Sequence, residues 1–185
     1  MILQVRNLGH RFDQGWLFRT VEIDLESSHR LMIKGRNGSG KSTFLKCLAG
    51  LLIPIEGTIQ IPDSIGYAAL DLSLYPNLTA SEHLEFAAQL RNSNPQVNEL
   101  LTQVGLDHKN SKPCRTYSTG MRARLKLALA IQHQPELLLL DEPTAALDSE
   151  GRDLIDSIMN SFDGAIIYAS NDDNDARWAT HAIEL

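Results

Sequence analysis

Gly35-Arg36-Asn37-Gly38-Ser39-Gly40-Lys41-Ser42 sets two glycines, a lysine and a serine at the intervals of the G-x-x-x-x-G-K-[ST] loop. Glycines reach backbone conformations closed to other residues, so successive N–H groups can line a nest around phosphate oxygens. Lys41 is placed to reach β- and γ-phosphates, and Ser42 to ligate Mg²⁺. A glycine-rich turn with a surface lysine would use the same residues. The flanks decide against it: Leu31-Met32-Ile33 reads as a strand and Thr43 to Ala49 as a helix whose positive end aims at the anion. The stretch reads as a nucleoside triphosphate site and leaves open what the energy is used for.

Two further groups bear on phosphate chemistry. Four leucines, Leu137 to Leu140, run into Asp141-Glu142-Pro143 and read as a fully buried parallel strand. Burying two carboxylates is costly, so they need a reason to be there. Mg²⁺ supplies one: Asp141 can hold it, directly or through its water, alongside Ser42. Glu142 can orient or deprotonate a water that attacks the γ-phosphate. The third group is Tyr117-Ser118-Thr119-Gly120-Met121, ahead of a helix over Arg122 to His133. Ser118 suits the cap, and its Oγ, the Gly120 N–H and the helix dipole could make a second anion site. Alone, that stretch is an ordinary helix start.

These groups need elements to hold them. Ile2 to Arg6 and Val21 to Leu25 alternate apolar and polar, as half-buried strands of an antiparallel lobe do. Phe12, between them, could stack on a base or be a core aromatic. Gly50 suits a helix C-terminus, Pro54 and Gly57 mark a turn, and Thr58 to Ile61 and Ile65 to Ala68 read as strands before a loop, Leu70 to Pro76. Thr79 and Glu82 have capping-box spacing ahead of Leu84, Ala87 and Ala88. A further helix is predicted from Pro95 with Asn94 as N-cap, carrying Val97, Leu100, Leu101 and Val104 and ending at Gly105. A helical segment therefore interrupts a strand-bearing core.

The chain has 185 residues, suited to one domain, and at 43% hydrophobic and 22% charged it can fill a sizeable core. A net charge of -6 excludes nucleic-acid binding by bulk electrostatics. Arg115, Arg122, Arg124 and Lys126 cluster, and a short charge run of this kind reads as a solvated helix face. Cys47 and Cys114 lie in no metal-ligand spacing and are expected as free thiols in a reducing compartment. The N-terminus has no signal-peptide pattern, and no apolar run approaches the roughly 20 residues that cross a bilayer. A membrane role would run through a partner.

Taken together, these motifs resemble the ATP-binding-cassette (ABC) ATPases over essentially the whole chain. Gly35 to Thr43 matches the Walker A loop, and Leu137 to Glu142 matches Walker B with its catalytic glutamate. Tyr117 to Met121 resembles the signature motif in a form seen in some exporter branches. Ala146-Leu147-Asp148 matches the D-loop, and Phe12 falls where the family places its base-stacking aromatic. The resemblance implies an α/β P-loop fold with a mostly parallel core sheet flanked by helices, an N-terminal antiparallel β lobe and an inserted helical lobe. It implies a single ATPase domain over 1–185, with an ATP-binding core at 1–75 and 135–185 and a helical signature lobe at 76–134.

ATP and Mg²⁺ are the implied cofactors. The nucleotide contacts would be Phe12, Gly35, Asn37, Gly38, Ser39, Gly40, Lys41, Ser42 and Thr43, joined by Ser118, Gly120 and Asp148 acting across a head-to-tail pair of chains. Ser42 and Asp141 would hold the metal and Glu142 would be the base. The implied partners are a second ABC ATPase chain, in a homo- or heterodimer, and a transmembrane permease; no nucleic acid is implied, since no heptad run supports a coiled-coil insert. Leu70 to Leu78 would meet the permease, with Leu72, Leu74 and Tyr75 as docking surface or core contacts. The location would be cytoplasmic, on the inner face of the cell membrane. The small size is similar to stand-alone exporter subunits, the haem-exporter type among them.

Two positions depart from the family pattern. Leu70 stands where the Q-loop glutamine is expected, with Asp71 next to it, and Asn171 stands in place of the switch histidine, with His181 too far along to replace it. Arg36 also replaces a frequent proline. Asparagine can donate to a γ-phosphate but carries no positive charge. Two functions follow: the ATPase subunit of a membrane transporter, with Glu142 as base and Asn171 as a weakened sensor, or a slow, ATP-gated dimerisation module.

Overall fold

A computed structural model describes residues 1–13, 15–94 and 96–185. The N-terminal alternation becomes a hairpin of β1 (Leu3–Phe12) and β2 (Gly15–Leu25). Both strands run longer than the alternating stretches. Register shifts after Val5 and Leu8, and Asn7 at φ 49°, break the period-2 pattern partway, so its signal fades before Phe12.

β3 (Arg30–Lys34) leads through the glycine loop into α1 (Lys41–Leu48). The helix closes on Gly50, at φ 70°, where Leu51 N–H returns to the Lys46 carbonyl at 2.9 Å. β4 (Glu56–Gln60) then pairs antiparallel with β1, completing a three-stranded sheet in the order β2-β1-β4.

β5 (Ile65–Ala69) opens the second sheet. Three helices follow: α2 (Ala80–Leu90), α3 (Val97–Gln103) and α4 (Thr119–Ile131). The Thr79–Glu82 capping box forms on α2 as expected. α3 differs: its N-cap is Gln96, with no side-chain cap, rather than Asn94, and Pro95 lies outside the described residues. α4 starts at Thr119, one turn before Arg122, because the Ser118 hydroxyl accepts the Met121 N–H at 3.1 Å.

β6 (Leu137–Asp141), α5 (Ser149–Ser161), β7 (Ala165–Ala169) and β8 (His181–Glu184) finish the chain. The second sheet has the order β5-β6-β7-β3-β8, with every pairing parallel. Every residue of β6 and β7 is buried, which is why their sequences are continuous apolar runs. Because the strands are parallel, the residues after β3, β5, β6 and β7 emerge on one edge. Ligands gather at that carboxyl edge in open α/β sheets.

α4 joins two layers. Leu127 and Ala130 pack with β6, β7 and α5, while Leu125 and Ala128 pack with α2 and α3. The expected solvated basic face is therefore corrected. Lys126 is 9% exposed, and the Arg124 side chain, 11% exposed, donates to the Val104 carbonyl and pairs with Asp148. Cys47 and Cys114 are free and buried, and burial pushes the Cys47 thiol up to about 11. Among the described residues no helix is long and apolar enough to cross a membrane.

Candidate functional site

The glycine loop folds onto its own lysine. Gly35 has φ 152°, and a Cβ there would stand 2.6 Å from the Leu185 carbonyl and inside contact with Ser39 Oγ. Lys41, 6% exposed, donates from Nζ to the carbonyls of Gly35 at 2.9 Å and Arg36 at 3.3 Å, and to Asn171 Oδ1 at 2.5 Å. Gly40, at φ 106°, caps α1 with no side chain in the way, so the helix's first N–H groups stay open to an anion.

The acidic pair comes from the next strand but one. Asp141 ends β6 and is 9% exposed; its Oδ1 is buried without a hydrogen-bond partner. Burial pushes the pKa of its carboxyl up from the ordinary value, while the Ser42 hydroxyl pulls it back down. Glu142 sits at φ 50°, rare for a residue with a side chain, held by its N–H to the Ala169 carbonyl at 2.9 Å. Burial raises the Glu142 carboxyl, and the Asn171 N–H and Lys41 oppose that shift. Lys41 Nζ lies 3.9 Å from Glu142 Oε1.

Asn171, two residues beyond β7, ties the two halves. Its Nδ2 donates to Asn37 Oδ1, its Oδ1 accepts from Lys41, and its N–H faces Glu142 Oε2 at 3.4 Å. A cavity of about 550 Å³ opens beside them; Phe12, Lys41, Ser42, Leu70, Glu142 and Asn171 are on its wall, with Asn37, Gly38, Gly40 and Thr43. Phe12 is 55% exposed, with its ring 5.0 Å from that of His10 and nearly perpendicular to it. Asp71 does not stand in at the Leu70 position, because its carboxylate is paired with Lys46 Nζ at 2.6 Å. His181 pairs with Leu31 at the opposite end of β3.

An orphaned carboxylate oxygen next to a serine hydroxyl fits a hard cation that keeps several ligands from water and phosphate. Mg²⁺ with a triphosphate suits that donor set. Among the described residues no three His, Cys, Asp or Glu gather as an all-protein cage.

Ser118, Gly120 and Asp148 do not line this cavity. They form a second group, where a Cβ on Gly120 would lie 3.4 Å from the Ala146 carbonyl. Asp148 caps α5 by accepting the Gly151 N–H at 2.9 Å and pairs with Arg124 at 2.9 Å. The Gly151 N–H and Arg124 hold the Asp148 carboxyl below its ordinary value. Sequence reading missed Asp175, 2% exposed, whose Oδ2 accepts from Ser170 Oγ at 2.7 Å and Thr144 Oγ1 at 3.1 Å. It clasps the loop after Glu142 to the one before Asn171. Only the hydroxyls flanking both sites hinted at it, since Asp172-Asp173-Asn174-Asp175 looks like a solvated turn.

Comparison with known proteins gives the same outline. The ABC transporter family pattern matches residues 18–145. A cytochrome c biogenesis ATP-binding export protein, CcmA, of Bradyrhizobium diazoefficiens is 37% identical over 77% of this chain and 76% of that protein. An ergothioneine transport ATP-binding protein, EgtV, of Helicobacter pylori is 31% identical over 100% of this chain and 97% of that protein. Other relatives are longer, and the chain spans 55% to 61% of their length. In fold, the chain is similar to a dimeric ATP-binding cassette solved in a post-hydrolysis state with ADP and Pi. The TM-score is 0.88 at 24% identity, covering 100% of this chain and 94% of that one.

Proposed function

The chain belongs to the ABC transporter family and is an ATPase of that class, and on that premise we propose how its residues use ATP. We take 1–75 with 135–185 as the ATP-binding core and 76–134 as the helical signature lobe. The observation that carries the reading is the meeting of Lys41, the orphaned Asp141 oxygen, Glu142 and Asn171 at one sheet edge.

Phe12, more than half exposed, would stack on the base. Gly35 to Thr43 wraps the phosphates, with Lys41 released from its carbonyls to the β- and γ-oxygens. Ser42 and Asp141 would hold Mg²⁺, which supplies charge neutralisation on the phosphate oxygens when bound. Glu142, lifted by burial toward a useful basicity, orients the attacking water and takes its proton. Asn171 donates to the γ-phosphate through the amide that now holds Asn37.

The group at Ser118, Gly120 and Asp148 does not line its own chain's cavity, and would serve a second chain's. Two chains would meet head to tail, with the γ-phosphate bound by one chain's loop and the other's Ser118 helix end. Closing and opening would drive a transmembrane permease seated at Leu70 to Leu78, placing the chain at the inner face of a membrane. An export role would parallel the cytochrome c biogenesis relative.

Calorimetry and steady-state turnover with Mg·ATP test this. Lys41→Ala should abolish the heat of binding. Glu142→Gln should keep binding and lose turnover by on the order of 10³-fold. Binding that survives Lys41→Ala, or turnover that survives Glu142→Gln, overturns the assignment.

A further inference from the structure

Lys126 is a buried cation that the phosphate chemistry leaves unused. It sits in the middle of α4, 9% exposed, and its Nζ donates to the Leu70 carbonyl oxygen. Burial holds its ammonium below the ordinary lysine range; Asp71 pulls it up and Arg122 pushes it down. A methionine fills nearly the same space, and replacing a buried ionic group with a packed apolar one is often neutral or stabilising. A group kept at such a cost points to a role outside packing.

Its partner identifies that role. Leu70 follows β5 and forms part of the wall of the triphosphate cavity. It also faces a narrow gap, about 30 Å³, shared with Lys126, Asp141 and Glu142. The next residue, Asp71, is held by Lys46 of α1 at 2.6 Å. Leu70 of the wall and its chain neighbour Asp71 are thus each held by a lysine, one from each of two helices. α1 springs from the phosphate loop, and α4 is capped by Ser118.

We propose that Lys126 is a positioning residue for ATP turnover: by gripping the Leu70 carbonyl it fixes the wall at Leu70 against α4. Leucine offers no ligand to metal or water, so this wall contributes only by its place, and Lys126 sets that place through the main chain. The wall and the Ser118 end of α4 then move together, because both are fixed to one 13-residue helix. A displacement of about 1 Å in such an element can cost on the order of 10²-fold in rate. The proposal rests on the function argued above.

The test uses the full chain with Lys126→Met and Lys126→Arg. Lys126→Met should melt no lower than wild type and bind Mg·ATP within about twofold, while kcat falls at least roughly tenfold. Lys126→Arg, which can still donate to Leu70, should restore most of it. Unchanged kcat in Lys126→Met overturns the proposal. So does a joint fall of melting temperature and kcat that arginine does not rescue, which marks a structural lysine.

Hydrogen exchange on nucleotide-free protein reads the tether apart from turnover. Lys126→Met should speed exchange over residues 70–76, where the Leu72 N–H is bound to the Ala69 carbonyl, and leave β6 as it was. Unaltered exchange there overturns the tether. A wild type that binds and hydrolyses no ATP, with the exchange effect present, would instead overturn the proposed function.

Discussion

Asn171 Oδ1 accepts a hydrogen bond from Lys41 Nζ at 2.5 Å. On the function proposed above, the residue just beyond β7 therefore occupies the lysine that a phosphate would recruit, and nucleotide entry would exchange one partner for the other. Two substitutions separate its parts. Asn171→Ala frees Lys41, so Mg·ATP should bind at least as tightly while kcat falls about tenfold or more for want of the amide donor. Asn171→Asp places an anion against both Lys41 and the γ-phosphate. Charge-assisted bonds are roughly twice as strong as neutral ones, so Mg·ATP affinity should fall by on the order of tenfold or more. ADP, lacking the γ-phosphate, should be affected less, as titration calorimetry of both nucleotides would reveal.

Two loop glycines are predicted to fail differently. Gly35→Ala forces a Cβ to 2.6 Å from the Leu185 carbonyl, so it should lower the melting temperature, with strain of about 1–3 kcal/mol. Gly38 has φ 83° and open space around its Cβ position. Gly38→Ala should cost only about 1–2 kcal/mol of backbone strain, and its main effect should be on Mg·ATP binding. Thermal melts with and without nucleotide distinguish the two. Equal losses for both variants would contradict the crowding at Gly35.

The parts legible in sequence are those where one interaction dominates. Leu137 to Leu140 is buried on both faces, so its strand shows as an unbroken apolar run. Thr79 and Glu82 satisfy each other locally, so their spacing alone announces α2. The phosphate loop depends on glycine geometry that few other residues could supply. The hidden parts depend on contacts between distant segments. Bulges ended the alternation of β1 early. α4 is packed on two sides, through Leu125 and Ala128 and through Leu127 and Ala130, so no single stripe marked its exposed face. Lys126 and Arg124 consequently looked solvated. Asp175 is buried by Ser170 and Thr144, which only the fold brings to it.

The packing of α4 makes a stability prediction. Leu125 is fully buried between α2, α3 and α4. Leu125→Ala removes apolar surface and leaves a cavity, at a cost of about 2–5 kcal/mol. Leu90, 70% exposed on α2, is the control, and its change to Ala should stay within about 0.5 kcal/mol. Urea denaturation measures both, and similar losses for the pair would contradict the burial of Leu125.

The capping box on α2 gives a pH dependence with a definite sign. Glu82 Oε2 accepts the Thr79 N–H at 2.7 Å, and Thr79 Oγ1 accepts the Glu82 N–H at 3.2 Å. The Thr79 backbone and side chain hold the Glu82 carboxyl below its ordinary value of 4.5, with His83 adding to the effect. A carboxylate depressed in the folded state binds fewer protons there than in the unfolded chain. Its stabilisation is therefore fully present above pH 4.5 and is lost as pH falls through the lower folded value. Glu82→Gln keeps an acceptor for the Thr79 N–H but cannot titrate, so it should melt lower than wild type at neutral pH. Below about pH 4 the gap should close, because wild type alone loses the charged cap on acidification. Melting curves from neutral pH downward check this, and a gap that stays constant would show that the Glu82 charge contributes nothing to the cap.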